Sequence, residues 1–186
     1  MTTTTPRDRT ITPADRAIAA VAVAAPLLLL VYGVLRWVDG RDGSHGPGWA
    51  WDLGHTAFLL AIVGFAVLGA LIRPRAGQRH STLGIVAVVA TALGAAAFVW
   101  VILGDLFPSI DEAAEVPDLV FNLGPVLFQL GLLTLLMLRV VAGRLPFWSP
   151  VLVLLEFVPI AVDLDLLPLG ALVILGGLLP LSRHPA

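Results

Sequence analysis

Long apolar stretches without a charge, separated by short polar ones, set the pattern of this chain. Ala17–Leu35, Leu53–Ile72, Ser81–Gly104 and Leu119–Leu138 each run 19 to 24 residues without a charged side chain. A helix rises 1.5 Å per residue, so about 20 residues cross the hydrocarbon core of a bilayer. The apolar positions are continuous rather than alternating, which predicts membrane-spanning helices rather than the half-buried elements of a water-soluble fold. The first helix also carries a start signal. Thr12 can cap it, Pro13 suits its first turn, and Asp15 favours the positive end of the helix dipole. The arm before it, with Arg7, Arg9 and Arg16, superficially resembles a signal peptide. The apolar run is long for one and no small-residue cleavage site follows, so an uncleaved anchor is expected.

The last third divides differently. Leu145–Val162 is apolar except for Glu156, Asp163-Leu164-Asp165 interrupts, and Leu166–Ser182 is apolar again. One helix from Pro150 to Leu181 would be about 48 Å long and would place two aspartates near mid-membrane, at a few kcal/mol each. A hairpin of two shorter helices turning at Asp163–Asp165 avoids that cost, with local thinning of the bilayer expected around it. The reading is therefore all-α: a polytopic transmembrane bundle of six helices, with five as the alternative. A cytoplasmic arm (1–16), one transmembrane domain (17–182) and a cytoplasmic tail (183–186) make up the chain.

Charge placement supports six. With the N-terminus inside, Arg7, Arg9, Arg16, Arg73, Arg75, Arg79, Arg139, Arg144 and Arg183 are cytoplasmic, and only Arg36 and Arg41 lie outside. A five-helix chain moves Arg183 outside. Ten of the thirteen acids face outward, giving that side a negative field. The outer loops differ: Asp39–Ala50 is rich in glycine, whereas Asp105–Asp118 holds five acids, no base and two prolines. All five tryptophans fall near span ends, at headgroup level. The expected location is the cell membrane, multi-pass, with both termini cytoplasmic. Reporter fusions after residues 78, 112 and 186 should read in, out and in; a C-terminal fusion that reads outside leaves five spans.

Composition agrees. Of 186 residues, 58% are hydrophobic and 13% charged, with a mean hydropathy of +0.95. Roughly a quarter of a soluble domain is charged, so too few charges remain here to cover a water-facing surface. All eleven basic residues are arginine, and both lysine and cysteine are absent. The alanine, glycine and arginine bias is that of a GC-rich genome, and the chain looks like many small polytopic bacterial membrane proteins. Without cysteine there is no disulfide, thiolate metal site or thiol nucleophile. Asp52–Phe58 aligns weakly with Asn122–Phe128 at an offset of 70, which also lays the third helix over the fifth. Gly64, Gly69, Gly84 and Gly94–Ala97 are small enough to let helices two and three approach closely.

Few polar residues fall where membrane burial makes them expensive. Glu156 lies near the middle of the fifth helix, where a carboxyl must be protonated, paired or turned to a wet cavity. It is read either as a proton carrier, acid or cation ligand, or as a hydrogen-bonded packing residue. Asp52 and His55 share a face at the outer end of helix two, the arrangement that orients acid–base and metal-ligating histidines. With Glu156 they are the candidate catalytic residues. Asp52, His55, Asp105, Asp163 and Asp165 are weak candidates for a cation site, the plainer reading being solvated helix ends. Asp118, Asn122 and Gln129 form one polar stripe, lining a cavity or packing between helices. No P-loop, nucleophile elbow, zinc motif or dinucleotide fingerprint occurs, and no cofactor is expected. Spaced arginines for voltage sensing and a basic nucleic-acid surface are also missing. Three functions remain: a non-catalytic membrane subunit or scaffold with a partner membrane protein or a second copy, favoured on these absences; an ion- or proton-coupled small transporter using Glu156; and a membrane enzyme acting on a lipid or isoprenoid. The enzyme reading requires Glu156 and His55 to open on one pocket lined by Asn122 or Gln129.

Overall fold

Helix α1 (Pro13–Asp39) begins where its capping signals place it. The Thr12 hydroxyl accepts from the Asp15 amide at 3.2 Å, and the Asp15 carboxylate accepts from the Thr12 amide at 3.0 Å, closing a reciprocal capping box. In the computed structural model the described residues are 12–74, 78, 80–156 and 163–183, without the side chains of Asp42 and Asp111. After α1 come α2 (Trp49–Ile72), α3 (Ser81–Leu106), α4 (Pro108–Ala113), α5 (Asp118–Val141), α6 (Trp148–Leu155) and α7 (Leu167–Arg183). Short 3-10 turns occupy Gly40–Asp42 and Leu164–Leu166. Five of the helical stretches are long and apolar enough to cross a membrane, the last running Leu164–Arg183. The chain is an all-helical membrane protein.

One expectation changes. The segment Asp105–Asp118 is not a bare loop, because Pro108 starts the one-and-a-half-turn helix α4 within it. Within the fifth apolar stretch, Leu145–Val162, the described residues form a helix over Trp148–Leu155 with Glu156 as its C-cap; residues 157–162 lie outside the described residues. Helix α6 nevertheless packs antiparallel on α7. The Ser149 hydroxyl donates to the Gly177 carbonyl near the arginine-rich end, and Asp165 reaches Arg36 at the acidic end. Asp163 and Asp165 therefore lie at the acidic end of the hairpin, in and before the 3-10 turn Leu164–Leu166, as the cost of burying two aspartates requires.

Small residues decide which helices touch. The tightest pairs are α1 with α2 and α3 with α5, while α7 lies along α1. Gly64 meets Ala25 of α1, and Gly69 meets Thr91 and Leu135. A side chain on Gly94 would run into the Phe128 amide and the Gly124 carbonyl, and one on Gly131 into Thr91 and the Ala87 carbonyl. Membrane helices gain little from hydrophobic exclusion and pack by van der Waals contact, so they join wherever glycines face each other. Gly94 and Gly124 face each other across α3 and α5, while α2 and α3 also approach, Gly69 lying against Thr91. The offset of 70 places α2 over α5, but α3 would fall across α6, the Asp163 turn and α7, so the repeat is not carried through. Leu68, Leu135, Leu136 and Leu178 fill the closed half of the bundle. Leu60, Val86, Leu93 and Leu130 point outward, as lipid contact requires.

Candidate functional site

The other half of the bundle is open inside. A cavity of about 560 Å³ lies between α1, α2, α3, α5 and the α6–α7 hairpin. Helix α2 faces it with Trp51, His55, Phe58, Ile62 and Phe65, a stripe at helical spacing. Helix α5 contributes Phe121, Pro125, Phe128, Gln129 and Leu132, α1 contributes Leu29, Tyr32 and Arg36, and α3 contributes Phe98, Val101 and Asp105. From Trp51 to Phe65 the α2 wall is roughly 20 Å long at the helical rise. Glu156, Leu164, Leu167 and Ile174 close the side formed by the hairpin.

The walls are aromatic. Tyr32 stacks on Phe58 at 4.4 Å between ring centroids, nearly parallel. Phe58 meets Phe98 edge-on at 5.8 Å, Phe98 meets Phe128 at 5.5 Å, and Phe128 meets Phe65 at 6.3 Å. Edge-on pairs hold each ring in place and leave a rigid apolar face toward the cavity.

Polar groups gather at the acidic end. His55 is buried, with its Nδ1 2.9 Å from the Trp51 carbonyl and its Nε2 3.5 Å from an Asp105 carboxylate oxygen. The Trp51 carbonyl and the Asp105 carboxylate both accept, so each ring nitrogen of His55 faces an acceptor. The Trp51 indole covers the imidazole at 4.0 Å and donates to the Asp105 carbonyl at 3.0 Å. Tyr32 lies edge-on to His55, and one helical turn further on Arg36 holds its Nε 3.7 Å from Asp165. Asp163 accepts from the Asp165 amide at 2.9 Å and fixes that turn.

Glu156 lies deeper. Only 6% of the residue is exposed, and its buried Oε2 has no hydrogen-bond partner among the described residues. Beside it, Gln129 donates to the Val153 carbonyl at 3.1 Å and ties α5 to α6. A carboxyl oxygen left without a partner next to an apolar cavity is positioned to bond whatever enters.

The structure thus brings together His55, Glu156 and Gln129 of the residues singled out from sequence. It does not pair His55 with Asp52. Asp52 is exposed, and its place is taken by Asp105 from α3, fifty residues further along the chain. The polar stripe of α5 is split. Gln129 is buried, whereas Asp118 and Asn122 are exposed, the Asn122 amide bonding back to the Asp118 carbonyl at 2.7 Å. The five candidate cation ligands separate into the His55–Asp105 pair, the Asp163–Asp165 turn and the exposed Asp52. Among the described residues no three metal-ligating side chains converge. Tyr32, Arg36, Phe58, Phe98 and Phe128 were not singled out from sequence. The aromatic spacing on α2 was a signal for one wall, but nothing in the sequence shows which rings on other helices complete it. The chain matches no protein-family model, and comparison with curated proteins and with solved structures yields no match.

Proposed function

We propose that the protein binds an elongated, lipid-soluble molecule within the bundle. Its hydrogen-bonding head lies at the His55–Asp105–Arg36 end and its apolar body lies between the aromatic walls. The observation that carries this reading is one cavity onto which His55, Arg36 and an unpartnered Glu156 all open, with five aromatic rings between them. Its volume falls in the range of small-molecule sites, which are mostly apolar with a few placed polar groups. A scaffold needs a packed interior and an outer face for its partner; this interior is better accounted for by a ligand. The arginine-rich end is taken as cytoplasmic, in the cell membrane, by the arginine bias.

The test is direct. Protein purified in mild detergent is extracted into organic solvent, and the extract is analysed by mass spectrometry. The wild type should retain one lipid-soluble species at near-stoichiometric amount. Val101→Trp, which fills the cavity from α3, should lose most of it, and Leu93→Trp, on the lipid-facing side of the same helix, should not. Equal retention by all three proteins rejects the cavity as the binding site.

A second reading is acid–base chemistry on that molecule, favoured because the requirement set by the sequence is met: Glu156 and His55 face one cavity lined by Gln129. His55 would accept a proton, Asp105 would steady the imidazolium that forms, and Glu156 would serve the far end. Conversion of the retained species on incubation, lost in His55→Gln, separates an enzyme from a binding or carrier protein.

A further inference from the structure

The charged side chains on the cavity do not balance. Among the described residues its lining holds two that can be positive, Arg36 and His55. Each lies against a carboxylate: Arg36 Nε is 3.7 Å from Asp165, and His55 Nε2 is 3.5 Å from Asp105. Glu156 is the acid left over. It is buried, its Oε2 has no hydrogen-bond partner among the described residues, and the stretch that follows it, residues 157–162, contains no basic side chain. The low dielectric that penalises a lone carboxylate strengthens its attraction to a positive charge brought into the same interior.

The walls favour the same sign of charge. Tyr32, Phe58, Phe65, Phe98 and Phe128 line the cavity, and an aromatic ring is negative on its face. A cation within about 6 Å of such a ring is attracted without any hydrogen bond, and more strongly once water is excluded. The end of the bundle where Arg36 and His55 lie also carries Asp52, Asp118, Asp163 and Asp165, whose field draws cations and repels anions. A neutral alcohol would satisfy Oε2 but use neither the ring faces nor that field. An anionic head would oppose all three.

Taking the cavity as the ligand site, we propose that its ligand is a lipophilic organic cation, whose positive charge lies between the Glu156 carboxylate and the aromatic faces. The polar head of the molecule stays at the His55–Asp105–Arg36 end.

The probe is an N-methylated dimethylaminostyrylpyridinium dye, a flat and elongated lipophilic cation, with its unmethylated parent as a neutral twin of the same shape. Both are titrated by fluorescence above neutral pH into the purified full chain in mild detergent, against a detergent blank. The wild type should bind the cation at least roughly tenfold more tightly than the twin. Glu156→Gln should lose that preference while binding the twin unchanged, which shows that the variant is folded. Glu156→Asp keeps the charge and should stay within a few-fold of the wild type. Phe98→Leu and Phe128→Leu keep an apolar side chain but lose the ring, and each should weaken the cation roughly threefold to tenfold with a smaller effect on the twin. Asp118→Asn, exposed at the outer end of α5, should match the wild type. Two outcomes overturn the cation: equal binding of dye and twin by the wild type, or a preference that survives in Glu156→Gln. If Val101→Trp still abolishes binding in those cases, the cavity remains the ligand site and only the ligand class is wrong. If neither dye is lost in Val101→Trp, the cavity reading falls and the cation with it.

Discussion

Replacing Glu156 by leucine is expected to stabilise the empty protein while weakening its hold on the cavity ligand. The Oε2 atom is buried without a hydrogen bond, and leaving such a group unsatisfied costs about 1–3 kcal/mol. An apolar side chain of similar size removes that cost, so the thermal midpoint of ligand-free protein should rise by a few degrees. The same change removes the unpartnered Oε2 from the inner end of the cavity, and the retained species should bind roughly tenfold to a hundredfold more weakly. Packing alone predicts higher stability with unchanged binding; a site predicts opposite signs. Glu156→Gln then defines the ligand. An amide still offers an acceptor oxygen to a hydroxyl, so binding of an alcohol survives it. Binding of an amine, which relies on the full negative charge, does not survive. Thermal scans with and without ligand measure both quantities on one sample.

Glu156 stands out in the sequence and the pairing of Asp105 with His55 does not, and the difference is physical. A lone carboxyl in an apolar run is conspicuous because lipid offers it no solvation, whatever its neighbours are. The spans were legible for the same reason: 20 apolar residues have one stable place. The cap of α1 was legible because Thr12, Pro13 and Asp15 act within one turn. The partner of His55 was not, since Asp52 at i−3 and Asp105 on another helix are equally plausible until helix rotation is fixed. That rotation is set by Gly64 against Ala25 and by Gly94 against the α5 backbone, contacts between segments far apart in sequence. The aromatic wall was hidden likewise, because Phe98 and Phe128 become neighbours only once α3 and α5 close together. Of the helix-end tryptophans, Trp49 and Trp148 are exposed, as interfacial anchors would be, while Trp51 turns inward over His55.

The crossing of α3 and α5 should be the most sensitive point of the fold, and Gly94 its centre. Even one methyl group there overlaps the Phe128 amide and the Gly124 carbonyl, both backbone atoms that no rotamer change can move. Overpacking a core costs about 1–3 kcal/mol when side chains can yield, and more when backbones must separate. Separation also forfeits the close van der Waals contact on which membrane helices depend. Gly94→Ala is therefore expected to lose stability by at least about 2 kcal/mol, and Gly94→Leu to leave little monodisperse protein in size-exclusion chromatography. Gly176→Ala provides the contrast. A methyl group there meets only Leu152 Cδ1 at 3.9 Å, so the substitution should be neutral or should stabilise α7 by about 0.5–1 kcal/mol through helix propensity. The crossing also bears on the cavity, because Phe98 and Phe128 stand on its two helices and touch at 5.5 Å. Any Gly94→Ala protein that does fold should have its aromatic wall parted and should release the retained species. A Gly94→Ala protein as stable as the wild type, with its ligand in place, would mean that α3 and α5 do not meet backbone to backbone, and the cavity between them would need a different wall.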